Sequence, residues 1–201
     1  DYIVIDEAHH LKADSYQTVL NHFSPQLLIG LTATPERMDG KSLLPDFCNQ
    51  ISAEIRLPKA LDEGLLTPFQ YLCISDSTDL TDEDLMDGNH YVATKLTDRL
   101  CNGERVGLIV DRLRYYLPDE NKCRALGFCA TKEHAQYMAE EFRKVGLKAA
   151  CLTSDKNNEE RMKMNRQLAK GEINYLFVVY IFNEGVDIPA VDTLLFLRPT
   201  E

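Results

Sequence analysis

The sequence predicts an α/β protein with mainly parallel sheets flanked by helices, and two observations carry that reading. Short apolar runs of strand length alternate with amphipathic segments along most of the chain, the pattern left by strand–helix crossovers. Several of these runs also end directly in acids or hydroxyls, as at Asp6-Glu7 and Thr32. Such residues belong at the carboxyl edge of a parallel sheet, where α/β folds place their ligands.

The elements follow in order. Residues 2–5 form a strand ending in acids, 15–22 a short helix, and 27–31 a second buried strand closed by Thr32 and broken by Pro35. Residues 55–57, ahead of Pro58, read as the last strand of a first block. Residues 59–74, interrupted by Gly64 and Pro68, read as a connector, and 76–87 as an acidic surface loop or insertion. Helical spacing runs from 91 to 117, with Leu96, Leu100, Leu108, Val110 and Leu113 as core positions. A strand over 124–129 leads to Thr131, a good N-cap for a helix with Ala135, Met138, Ala139 and Phe142 on one face and Gly146 as its stop. Residues 148–152, 175–179 and 193–197 read as strands, with a helix over 159–170 stopped by Gly171. The expected organisation is a first block at 1–58, a connector with a helical and acidic insertion at 59–121, and a second block at 122–201.

The totals bound the function. The 201 residues carry 32 acids against 22 bases, a formal charge of −10. That balance argues against a tight grip on nucleic acid by this stretch alone, because phosphate contacts supply most of such affinity. Arg161, Lys163, Arg166 and Lys170 recur at helical spacing, which a solvated helix face explains as readily as a binding stripe. No apolar run approaches the length of a membrane span, and no signal leader is visible. The first residue is Asp rather than Met, which suggests an excised piece. The six cysteines lack metal-ligand spacing, so they read as reduced, mostly buried thiols of a cytoplasmic protein. His9 and His10 likewise have no matching ligand cluster.

Three segments carry chemistry. In Ile3-Val4-Ile5-Asp6-Glu7-Ala8-His9 a strand delivers two adjacent acids to the sheet edge. Nucleotide hydrolysis needs one carboxylate to hold Mg²⁺ and a second group to orient or deprotonate water, roles that suit Asp6 and Glu7. Two acids capping a following helix would give the same local pattern. Gly30-Leu31-Thr32-Ala33-Thr34-Pro35 ends the neighbouring strand with two hydroxyls able to bond to that acidic edge; a plain strand-to-turn exit also fits. Asn183-Glu184-Gly185-Val186-Asp187-Ile188-Pro189 follows a third buried strand, where Gly185 permits close backbone approach and Asp187 can accept from a ribose. A glycine turn with a capping acid explains that segment alone.

Together these segments resemble the superfamily 2 helicases and translocases. DEAH at 6–9 is like motif II, TAT at 32–34 like motif III, EGVDIP at 184–189 like motif V, and 126–131 like motif IV. The wording around Thr32 and Gly185 is most similar to the type III restriction enzyme Res-subunit and DNA-repair helicase group, and less like the DEAH-box RNA helicases. The resemblance implies two partial RecA-like (P-loop NTPase-type) domains with ATP in the cleft between them, and ATP and Mg²⁺ as cofactors. Asp6 would hold Mg²⁺, Glu7 activate water, and His9, Thr32 and Thr34 couple hydrolysis to movement. Gly185 and Asp187 would contact nucleotide. Thr131, Thr153 and Ser154 would approach the nucleic-acid backbone, and Arg37 would face nucleic acid or the domain interface.

Departures matter too. No GxxxxGK[ST] phosphate loop and no QxxGRxxR motif are present, and Tyr180 stands where the family usually has Asp or Asn. The expectation is a fragment of an ATP-dependent DNA helicase or translocase, inactive in isolation, whose parent acts on nucleic acid, duplex DNA in particular, and carries the missing helicase segments and an attached nuclease or specificity domain. A non-hydrolysing helicase-like scaffold and an RNA helicase are the competing readings.

Overall fold

The computed structural model describes residues 2–34, 42–88, 90–153, 157–179 and 188–199. The chain divides into two compact units, Asp1–Leu72 and Cys73–Glu201.

In the first unit β1 (Tyr2–Ile5) pairs in parallel with β2 (Leu27–Gly30), in register from Tyr2 opposite Leu27 to Ile5 opposite Gly30. The crossover is α1 (Asp14–Phe23), which ends where Ser24 turns left-handed at φ 42°. Ile5, Ala8, Leu11 and Leu43 form the buried core, with Tyr16, Leu20 and Phe47 packed against it. Gly30 is required by close approach: a Cβ there would lie 2.5 Å from the Phe47 ring and 2.9 Å from the Ala8 methyl.

The strand expected at 55–57 is not formed. Residues 53–56 are irregular, and α2 (Leu57–Asp62) begins at Leu57 with Pro58 in its first turn. Proline's fixed φ suits that position, and Ile55 and Leu57 are 58% and 52% exposed, so no buried apolar face favours a strand.

The second unit opens with a two-residue hairpin, β3 (Met86–Asp87) against β4 (His90–Tyr91), then α3 (Ala93–Leu100) and α4 (Gly103–Tyr116). Its main sheet holds β5 (Ala125–Phe128), β6 (Ala149–Leu152), β7 (Tyr175–Val178) and β8 (Thr193–Phe196), all parallel, in the order β6-β7-β5-β8. The crossovers include α5 (Lys132–Lys144) and α6 (Asn158–Lys170). Successive strand residues point to opposite faces. One face buries Ala125, Tyr175 and Phe177 against Met138, Ala139 and Phe142 of α5 and Val110 of α4. The other buries Leu126, Leu152, Leu176 and Val178 against Leu168 of α6. Phe142 packs edge-on to Tyr175 and Phe177, ring centres 5.0 and 4.9 Å apart. The Phe177 ring fills the space a Gly127 side chain would need.

Local signals set the helix ends. Thr131 caps α5, Asn157 and Glu160 form a reciprocal capping box on α6, and Gly171 ends α6 at φ 75°. The cysteines are less buried than expected. Cys123 and Cys129 are buried, Cys101 and Cys151 half-buried, Cys48 and Cys73 exposed. Burial pushes the Cys123 and Cys129 thiols up, leaving them poor nucleophiles. Among the described residues no helix is long and apolar enough to cross a membrane.

Candidate functional site

The strongest cluster of sequence-predicted residues lies at the carboxyl ends of β1 and β2. The ladder continues one step beyond the paired strands: Leu31 N–H donates to the Ile5 carbonyl and Ala8 N–H to the Leu31 carbonyl, each at 2.8 Å. Between these bonds the chain turns sharply at Glu7, which is left-handed at φ 49° and ψ 48° before a single 3₁₀ turn, Ala8–His10. That conformation is uncommon for a residue with a side chain, and such strain concentrates at functional sites. Ala8 anchors the turn, 1% exposed and packed where Gly30 lacks a side chain.

Asp6 and Glu7 are therefore presented differently. Asp6 is exposed, and its Oδ1 accepts the Glu7 N–H at 2.9 Å. Glu7 is half-buried and turns towards His9, with Oε2 3.3 Å from His9 Nδ1. The same Nδ1 lies 3.1 Å from Thr32 Oγ1. One ring nitrogen therefore lies within reach of both the Glu7 carboxylate and the Thr32 hydroxyl. Thr32 Oγ1 also accepts the Thr34 N–H at 3.1 Å. Asp6, Glu7, His9, Thr32 and Thr34 thus form one connected edge. Lys12 Nζ, 2.7 Å from Asp46, ties the following loop to the 3₁₀ turn Leu44–Phe47.

Asp6 offers hard oxygen ligands to a cation. Among the described residues no three His, Cys, Asp or Glu side chains gather as a metal site. Mg²⁺ does not require that, since it binds through one or two carboxylates and completes its shell with water and phosphate oxygens.

Of the residues expected from the second unit, Thr131 and Thr153 are described; Gly185, Asp187 and Ser154 lie outside the described residues, as do Tyr180 and, in the first unit, Arg37. The Thr131 hydroxyl accepts the His134 N–H at 3.2 Å and pairs with the Thr97 hydroxyl at 2.7 Å. Thr153, just after β6, is 3% exposed and presents little surface to a ligand. The sequence reading missed His134. It is fully buried, its Nδ1 accepts the Ala130 N–H at 3.3 Å, and its Nε2 has no partner among the described residues. Burial, and secondarily the Arg105 charge, hold its pKa down at about 4.

Residues 1–37 match the family model described as type III restriction enzyme, res subunit, and residues 108–201 match helicase conserved C-terminal domain. The start of the first unit thus resembles the res subunit, and most of the second unit resembles a helicase C-terminal domain. IRC3 of Saccharomyces cerevisiae, named as an ATP-dependent helicase, is 28% identical over 206 residues, covering 99% of this chain and 30% of its own length. Irc3 of Schizosaccharomyces pombe, named as a mitochondrial ATP-dependent helicase, is 30% identical over 199 residues, 96% of this chain and 32% of its own. A 51.5 kDa protein of a Lactococcus phage is 28% identical over 199 residues, 99% of this chain and 42% of its own. The chain therefore spans about a third to two fifths of these relatives. The residues that resemble helicase motifs II and III are the ones joined at the β1–β2 edge.

Proposed function

We propose that the chain is the motif II to motif V part of an ATP-dependent DNA helicase or translocase, with Asp6 and Glu7 as half of its hydrolysis site. The observation that carries this reading is the His9 bridge, 3.3 Å from Glu7 and 3.1 Å from Thr32. It places a carboxylate, an imidazole and a hydroxyl in series where the two strands end. Asp6 would hold Mg²⁺, which when bound supplies positive charge against the phosphate oxygens.

Glu7 then orients the attacking water and accepts its proton. A change of charge on Glu7 alters its attraction for the His9 ring and so the ring's contact with the Thr32 hydroxyl. The protonation state at the end of β1 is thereby passed to the end of β2. Gly185 and Asp187 would contact the nucleotide from the second unit, a role that rests on the motif V likeness. Duplex DNA as the partner, and not RNA, rests on the likeness to the Res-subunit group.

The test is Glu7→Gln in the longer protein that carries this chain. Nucleic-acid-stimulated ATP turnover should fall by roughly 10²–10⁴-fold, the range for loss of a general base, while ATP binding persists. Normal turnover in the variant would remove Glu7 from the chemistry, and stronger activation by RNA than by duplex DNA would overturn the partner.

A further inference from the structure

The basic residues of α6 stand on one stripe of that helix. At about 3.6 residues per turn, Lys163, Arg166, Gln167 and Lys170 fall within about 100° of arc. The other side packs on the sheet through Leu168, with Met164 beside it. Together with Glu172, just past the helix, the four line an open groove of about 210 Å³. Arg161, although at helical spacing in the sequence, is not part of that lining.

Solvation of a helix face accounts for only part of this row. Lys170 lies in the last turn, where the helix carries partial negative charge and favours a cation. Lys163 and Arg166 sit further in and have no such reason. Elsewhere in the second unit surface cations are matched with acids, as Arg99 with Asp82, Lys122 with Asp119 and Lys144 with Glu141. Among the described residues no acid lies within ion-pair distance of Lys163, Arg166 or Lys170. Glu159 stands four positions before Lys163, the spacing that favours a surface pair, and the two are not joined. In a chain of formal charge −10 the row is a local reversal of sign.

From Lys163 to Lys170 the helix advances about 10 Å. One strand of duplex DNA brings a phosphate about every 3.4 Å along its axis, so a strand lying along α6 sets about three phosphates against three cations. Arg166 can hold a phosphate by two parallel bonds, and the lysines act as point charges. We propose that the Lys163, Arg166 and Lys170 face of α6 is a contact for the phosphate backbone of duplex DNA. It rests on the nucleic-acid partner proposed above. It is separate from the carboxyl edge of the sheet, where Thr131 and Thr153 lie: α6 returns from that edge and leads through Gly171 into β7, so Lys170 stands towards the amino edge. Such a contact adds affinity and salt dependence without reading sequence.

The test is binding of a mixed-sequence DNA duplex to the longer protein that carries this chain, by fluorescence anisotropy between about 50 and 200 mM salt. The triple variant Lys163→Gln, Arg166→Gln, Lys170→Gln should bind at least about tenfold more weakly. Its plot of log affinity against log salt should be shallower by about 2–3, close to one per lost contact. A matched triple variant, Arg99→Gln, Lys122→Gln, Lys144→Gln, changes the net charge equally and should shift the slope by less than about 1. Glu172→Gln removes the carboxylate from the groove and should tighten binding. All seven side chains are exposed, so the melting temperature should hardly move.

An unchanged slope in the first triple variant, an equal change in the matched one, or weaker binding in Glu172→Gln would overturn the proposal. So would displacement of the duplex by polyglutamate as readily as by unlabelled duplex, which would make an acidic protein the better occupant. If the unaltered protein binds no duplex, the partner reading and this contact fall together. Firm duplex binding with an unchanged slope removes this contact alone.

Discussion

His134 should make the second unit sensitive to mild acid. The perturbation is His134→Gln, which removes the titration and keeps an oxygen able to accept the Ala130 N–H now bonded at 3.3 Å. In the folded chain the imidazole titrates near 4, against 6.5 when exposed to water. Because the folded pKa is the lower one, the unfolded chain binds the extra proton first. Stability is therefore fully present above pH 6.5, falls as the pH drops towards 4, and is flat with respect to this group below that. The difference corresponds to about 3 kcal/mol, a large share of the roughly 5–15 kcal/mol typical of a domain. No solvent discount applies, since His134 is 0% exposed. Urea unfolding followed by far-ultraviolet circular dichroism at pH 7 and pH 4 reads it, the chain having no tryptophan. The carboxylates titrate in both proteins, so the quantity is the difference between them: the natural chain should lose about 3 kcal/mol more than the variant. A difference under about 1 kcal/mol, or an imidazole midpoint near 6.5 in the folded state by NMR, would refute the reasoning.

Gly30→Ala drives a methyl into Phe47 and Ala8 beneath Glu7. It should cost the first unit about 1–3 kcal/mol in urea unfolding, whereas Gly103→Ala, with open space around it, should be close to neutral. His9→Ala removes the bridge between Glu7 and Thr32. In the longer protein it should reduce stimulation of ATP turnover by nucleic acid about tenfold while leaving ATP binding in place; unchanged stimulation would break the coupling argument. The 201-residue chain alone contains no phosphate loop and should show negligible ATP turnover, so a DNA-stimulated rate from it would contradict the half-site reading.

Much of the fold was written locally. Tyr2–Ile5, Leu27–Gly30 and Tyr175–Val178 are apolar runs of strand length, and each is a strand. The face Ala135, Met138, Ala139 and Phe142 has the helical period, and all four are buried. Thr131 and Gly171 act as the helix boundaries their chemistry suggested. Where a local cue misleads, at 55–57, a short run ahead of proline suggests a strand, yet Ile55 and Leu57 are both more than half exposed.

The DEAH segment shows the same division. That two acids follow a strand was legible because strand, acids and turn are consecutive. Tertiary structure alone decided that Glu7 turns left-handed, that His9 meets Thr32 across 23 positions, and that Gly30 makes room for Ala8. It likewise decided that Arg105 joins Asp76 and Leu197, 29 and 92 positions away, and that His134 is buried uncharged. Periodicity, caps and breakers report how a residue treats its neighbours in the chain, within a helical turn or a strand pleat. A hydrogen bond across 92 positions or a desolvated imidazole depends on which elements pack together. That is fixed only once the whole unit has closed around its core.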